Sequence, residues 1–371
     1  MRKFIITLLL FQFIIIVKGQ DFFLKDFDHS KEYVLLANPT VHNIQTIQFL
    51  LKKHLLRVNR HNTEFVGVYY KNQNYEFHKS QKYIAENHLK NFHLQEITGE
   101  LNESNIFSTN DCTPLLRKVF ENSVGIFFFG GPDIPPGIYK EENTRSIVTD
   151  PYRHYYEITF LFHLLGSSRN PEYRPFLNDN PGYLVTGFCL GMQTMNVATG
   201  GTMVQDIPEE LYNLYNPEEI VKADRNSLHS NYWQYISDDS MIMVNNLHEI
   251  RFTANPFFKK KVRFCKKFKP KVVTSHHQAA EKLGKGLEIT AVSIDGKVVE
   301  ALAHIRFPGV FASQFHPEIP AIYEDTYLTK FKPGDTAETL NDMVGAKSIR
   351  FHKKYWKYIS KVLKYANSIG K

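Results

Sequence analysis

The run Gly187-Phe188-Cys189-Leu190-Gly191-Met192-Gln193 places one cysteine in a frame of glycines. The apolar, β-prone residues Tyr183-Leu184-Val185-Thr186 lead into it, and residues 192–198 read as a helix leading out. A strand that stops, a sharp turn and a helix that begins at that turn make the layout of a nucleophile elbow. Small flanking residues let such a turn form without a Cβ clash. A helix N-terminus favours the thiolate, which is the reactive form of cysteine. The chemistry indicated is attack on an acyl group. A cysteine nucleophile needs a base, and the base needs an orienting partner. Gln314-Phe315-His316-Pro317-Glu318 offers both. It follows the apolar strand Val310-Phe311-Ala312, and the carboxyl ends of strands are where open α/β sheets place their ligands. His316 can take the thiol proton. Glu318, beyond a proline that stiffens the loop, can hold the other ring nitrogen.

Two motifs so far apart need a scaffold that brings them together, and the chain alternates strand-like with helix-like stretches. Residues 33–37, 65–70 and 125–129 read as buried strands, the last ending in Gly130-Gly131. Residues 44–56, 81–92 and 112–120 read as helices, with Asn110 or Asp111 as N-cap of the third. Further strands are expected at 241–244, 271–274, 287–293, 298–304 and 309–314. Residues 294–297 form a hairpin turn in which Asp295-Gly296 supplies the positive φ angles. Continuous apolar strands alternating with helices indicate an α/β fold with a parallel sheet covered on both faces. Residues 346–366 carry apolar residues at helical spacing and read as an amphipathic helix packed on the domain.

Composition narrows the class. The 371 residues are 43% hydrophobic, 22% charged and 14% aromatic, which fits a packed core and excludes disorder. The formal charge of +7 gathers in Lys259-Lys260-Lys261, Arg263, Lys266-Lys267, Lys269, Lys271 and the C-terminal tail. No zinc finger, phosphate loop or RNA-binding signature accompanies it, so it reads as solvated surface and no nucleic-acid partner is expected. Met1-Arg2-Lys3, an apolar run over 4–17 and Lys18-Gly19-Gln20 read as a signal peptide over residues 1–20. The run is short for a membrane span, so the expectation is export without stable membrane insertion, to the medium, a periplasm or an organelle lumen. Cys112, Cys189 and Cys265 are too few for a disulfide scaffold. Cys112 and Cys265 can pair or remain free thiols, and Cys189 is the reactive candidate.

Taken together, Gly-x-Cys-x-Gly-x-Gln and the distant His-Pro-Glu resemble the class I glutamine amidotransferase superfamily. The resemblance implies a doubly wound α/β fold, a mostly parallel sheet flanked by helices, and a triad of Cys189, His316 and Glu318. Three further segments resemble the gamma-glutamyl hydrolase-like cysteine peptidase branch, on the side of the gamma-glutamyl-GABA hydrolases. They are Gly130-Gly131-Pro132-Asp133-Ile134-Pro135-Pro136-Gly137-Ile138-Tyr139, then Asp150-Pro151-Tyr152-Arg153 with Glu157, and Thr274-Ser275-His276-His277-Gln278-Ala279. His154 stands where that branch carries a second aspartate. The glycine loop then implies an oxyanion hole, built from N–H groups near Gly130 and Gly131 with that of Leu190. Gln193, His276 and His277 are implied to line the site. Adjacent histidines rarely ligate one metal together, and no acidic or cysteine cluster joins these two, so neither a metal nor an organic cofactor is expected. The resemblance covers roughly residues 120–320. It implies a hydrolase domain over 21–325 and a basic helical extension over 326–371. The reaction implied is hydrolysis of a gamma-glutamyl amide of a small molecule through a Cys189 thioester. The rivals are a glutaminase subunit that releases ammonia for a synthetase and a catalytically silent binding protein. Oligomeric state is not legible.

Overall fold

Apolar side chains alternate between two faces along each central strand, and that alternation builds the molecule. The computed structural model describes residues 21–369 apart from Asp26 and Lys266, with side chains through Ala366. The leader read in residues 1–20 lies outside the described residues. Ten strands form one sheet. In chain order they are β1 (Glu32–Ala37), β2 (Thr63–Tyr70), β3 (Phe92–Ile97), β4 (Gly125–Phe128) and β5 (Leu184–Phe188). There follow β6 (Asn246–Phe252), β7 (Lys271–Thr274), β8 (Leu287–Ser293), β9 (Val299–His304) and β10 (Val310–Ser313). Their order across the sheet is β3-β2-β1-β4-β5-β10-β9-β8-β6-β7. Pairing is parallel from β3 through to β10 and antiparallel from β10 to β7.

On one face, Tyr33, Leu35, Ile126, Phe128, Val185 and Ala312 pack under α3 (Thr113–Glu121), α4 (Pro151–Leu165) and α5 (Leu190–Ala198). On the other, Val34, Leu36, Phe127, Leu184, Phe188 and Phe311 pack under α1 (Val41–Lys52) and a long C-terminal helix, α6 (Ala346–Ile369). Helices on both faces of a mostly parallel sheet make this a doubly wound α/β fold. The C-terminal helix is part of the core: Phe351, Tyr355, Trp356 and Ile359 are fully buried in the second face. A buried aromatic of this size stabilises by roughly 2–3 kcal/mol through burial alone. Among the described residues no helix is long and apolar enough to cross a membrane.

The structure corrects several expected elements. The helix expected over 81–92 is α2 (His78–Glu86). It ends at Asn87 and His88, where His88 turns to φ 52°, and the chain re-enters the sheet as strand β3, which periodicity did not reveal. Residues 241–244 are not a strand of the sheet. Ile242 makes a single bridge to Lys330, and the strand begins later, at Asn246. In the 294–297 turn only Gly296 has positive φ. Asp295 instead accepts hydrogen bonds from Ser293 Oγ and the Lys297 N–H. Cys112 is buried, Cys265 is exposed, and both are free thiols.

Candidate active site

The elbow is built as the glycine frame requires. Cys189 has φ 52° and ψ −110°, a strained conformation for a side chain, and is the residue on which α5 begins. Its N–H donates to Ser313 O at 2.9 Å, locking the end of β5 to the end of β10. A Cβ on Gly187 would lie 2.7 Å from the Gly191 carbonyl carbon, and one on Gly191 would lie 2.6 Å from Phe128 O. Only glycine fits at these two approaches. The first folds the elbow tightly on itself, and the second presses it against β4, whose end carries the Gly130-Gly131 loop. Cys189 itself is 6% exposed.

His316 meets Cys189 from the end of β10. Its Nδ1 lies 2.7 Å from Glu318 Oε1, and the Cys189 side chain stands beside the ring, close enough to favour its charge. With Nδ1 held by the carboxylate, Nε2 is the nitrogen left for sulfur. Burial works against charge on this imidazole, but Glu318 and Cys189 outweigh it, and its pKa stands well above the ordinary 6.5. The Pro317 carbonyl between the two residues accepts from Trp356 Nε1 at 2.9 Å and from Tyr323 Oη at 2.6 Å. The C-terminal helix thus clamps the loop that carries base and orienter.

Gly130 lies against the same pair: a Cβ there would sit 3.0 Å from His316 Cε1 and 3.7 Å from Cys189 Cβ. Arg153 fixes this loop from behind. Its Nη2 donates to Phe129 O and Gly130 O at 3.0 Å each, and its Nε donates to Glu157 Oε1 at 2.9 Å. The trans peptide plane then aims the Gly131 N–H away from the guanidinium. Leu190 is the first residue of α5, so its N–H has no intrahelical acceptor. These are the donors an oxyanion hole needs. Asp150 caps α4, accepting the Arg153 N–H, and so sets the arginine one turn from the loop. Glu157 is fully buried, and burial raises its pKa against the pull of Arg153. His154 is also fully buried and points into the core, where burial lowers its pKa to about 3 and keeps it neutral.

The remaining sequence-derived candidates stand around this centre in different ways. Gln193 is buried and donates from Nε2 to Gln278 O at 3.1 Å and Gln314 Oε1 at 3.3 Å, tying α5 to the two loops beside it. His277 bridges two carboxylates, with Nε2 at 2.9 Å from Asp133 and Nδ1 at 3.2 Å from Asp206. Burial opposes its charge, but these acids raise its pKa to about 9. It therefore pins the Gly130 loop through Asp133. His276 turns inward: its Nδ1 lies 2.8 Å from Gln278 O, its ring sits tilted 4.9 Å from that of His229, and burial keeps it neutral. Sequence reading assigned no role to Trp356, Tyr323 or Asp206. Trp356 and Asp206 lie 39 and 71 positions from the groups they hold, Tyr323 lies six from its own, and no local pattern marks any of them.

Comparison with known proteins agrees with this geometry. The Peptidase C26 family model matches residues 65–318. A glutamine amidotransferase-like protein of Rickettsia prowazekii is 26% identical over 222 residues, covering 55% of this chain and 73% of that protein. One from Lactococcus lactis is 27% identical over 224 residues, covering 60% and 78%. The structure of a GMP synthase component from Thermoplasma acidophilum overlays 92% of this chain and 98% of its own at 10% identity. Its TM-score of 0.40 is too low to carry weight.

Proposed function

Because the chain belongs to the Peptidase C26 family, within the class I glutamine amidotransferase superfamily of cysteine-dependent amide hydrolases, we propose that its reaction is hydrolysis of gamma-glutamyl amides. The observation that carries this reading is the meeting of Cys189, in its strained elbow, with the His316–Glu318 pair held at 2.7 Å. Support for the gamma-glutamyl side comes from the three further motif segments. Through Arg153, Asp133 and His277 they all converge on the loop at Gly130.

In this reading Cys189 Sγ attacks the δ-carbonyl carbon of the substrate, and His316 takes the thiol proton. The carbonyl oxygen becomes an oxyanion held by the Gly131 and Leu190 N–H groups. The tetrahedral adduct collapses, the C–N bond breaks, and His316 Nε2 returns the proton to the departing amine. What remains is a gamma-glutamyl thioester on Cys189. Water attacks it, gives a proton to His316, and leaves as the free gamma-carboxyl of glutamate while sulfur regains the proton. Glu318 holds the ring in one tautomer throughout. We also propose that residues 1–20 direct export, which would keep the enzyme apart from an ammonia-consuming synthetase.

A panel of gamma-glutamyl amines, gamma-glutamyl amino acids, polyglutamyl folate and free glutamine, read by mass spectrometry, tests the reading. Release of amine and glutamate by wild type but not by Cys189→Ala supports it. Turnover of free glutamine alone would replace it with the glutaminase reading. Equal turnover by Cys189→Ala would end both.

A further inference from the structure

Beside His276, whose ring lies 4.9 Å from that of His229, three side chains that the reaction does not use converge. Glu300 projects from β9, His248 from β6, and His229 from the loop before it. All three are essentially fully buried. His229 Nδ1 lies 3.1 Å from Glu300 Oε1, and His248 Nε2 lies 3.4 Å from the same oxygen. Neither contact has hydrogen-bond geometry. Both nitrogens of His229, Nε2 of His248 and both carboxylate oxygens of Glu300 have no hydrogen-bond partner. An unpaired buried polar atom costs about 1–3 kcal/mol, so five in one cluster would be a heavy burden on a domain of ordinary stability. Among the described residues no hydrogen bond satisfies these atoms, and a bound cation would engage one atom of each side chain.

The spacing suits one. Two ligand atoms bound at about 2.1 Å in a tetrahedral arrangement stand about 3.4 Å apart. The 3.1 and 3.4 Å separations match that edge. All three donor atoms lie within 4.8 Å of one another. The surroundings also suit one. A metal-bound histidine commonly donates its other N–H to a backbone carbonyl, which leaves the binding nitrogen with its lone pair free. His248 Nδ1 lies 3.2 Å from Glu249 O. The His229 backbone is fixed as well, its carbonyl accepting from Thr274 Oγ1 at 2.8 Å and the His276 N–H at 3.0 Å.

We propose that His229, His248 and Glu300 form a buried site for one divalent transition-metal ion of the zinc type, separate from the catalytic cysteine. Two imidazoles and a carboxylate are a borderline-soft set that such ions favour over magnesium or calcium. The site ties β6, β9 and the His229 loop into one unit. The Gln314 N–H donates to Glu300 O at 2.8 Å, so this unit lies directly beside the strand that delivers His316. Its role is structural.

The test is to unfold the protein in denaturant with a chelator and refold it with Zn2+, with Co2+ or with no metal. The expected result is about one equivalent of metal retained through desalting, a higher Tm than the metal-free form, and visible absorption bands of four-coordinate Co2+. Glu300→Gln and His248→Ala should each lower retained metal at least about tenfold, while Cys189→Ala retains it in full. Wild type that refolds to the same Tm with no metal retained overturns the proposal. So does metal lost with Cys189→Ala, which would place the ion in the catalytic site. If the Glu300 and His248 variants do not fold, the wild-type metal content and the Cys189→Ala control still decide the question.

Discussion

His277 should make the stability of this protein depend on pH in a way that can be isolated. Its imidazole is held between Asp133 and Asp206, and its pKa rises from 6.5 to about 9 on folding. A raised folded-state pKa gives stability that is fully present below pH 6.5 and is lost as pH climbs through about 9. The displacement corresponds to about 3 kcal/mol. The side chain is 28% exposed, so water screens part of the interaction and about 2 kcal/mol is the working figure. The assay is urea unfolding of wild type and His277→Gln at intervals from about pH 6 to about pH 9.5. The gap between the two should be widest at the acid end and should close toward the alkaline end. Two curves that run parallel across this range would show that His277 is not charged by Asp133 and Asp206, and the reasoning would fail. Because Asp133 belongs to the Gly130 loop, turnover should weaken over the same alkaline range.

Two further perturbations test the supports of the site. Arg153→Met leaves Glu157 buried without its partner and should cost about 3–5 kcal/mol in denaturant unfolding. Pairing it with Glu157→Leu should restore most of that stability. Turnover should stay about 10²–10³-fold down in both, because the Gly130 carbonyl is unheld and the oxyanion donors drift. Recovery of turnover in the double variant would make the arginine merely structural. Trp356→Phe keeps an aromatic ring in the core but removes the donor to Pro317 O, and should cost about 1–2 kcal/mol. Combining it with Tyr323→Phe strips the Pro317 carbonyl of both partners, and kcat should fall by more than the product of the single effects while KM changes little. Purely multiplicative effects would mean that the two donors do not act on one loop.

Much of this architecture was legible because its causes are local. The apolar runs at β1, β2, β4 and β10 read directly as buried strands, and the Cys189 frame read as an elbow because only glycine fits where Gly187 and Gly191 stand. His316 and Glu318 were legible as a pair because two residues on one loop can reach each other. What the sequence hid is nonlocal. Strand β3 is half polar, and its pattern blends into the helix before it. Trp356 reaches Pro317 across 39 positions, and the same apolar spacing that marks its helix as amphipathic conceals the one polar atom that matters. Arg153 sat in a readable motif, but its action on Gly130 appears only once α4 is laid across the end of β4. His276 and His277 are neighbours with opposite fates: one is neutral in the core and the other is charged between acids. Their partners set them apart: Gln278 O and the His229 ring hold one, Asp133 and Asp206 the other.

The central claim is that Cys189 carries the acyl group. Protein mixed with a turned-over gamma-glutamyl amide, quenched in acid within one turnover and measured by intact-mass and peptide mass spectrometry, tests it most directly. The account predicts a mass gain of one gamma-glutamyl group, located on the peptide containing Cys189 and absent from Cys189→Ala. Turnover with no adduct on that peptide, or an adduct on any other residue, would contradict it.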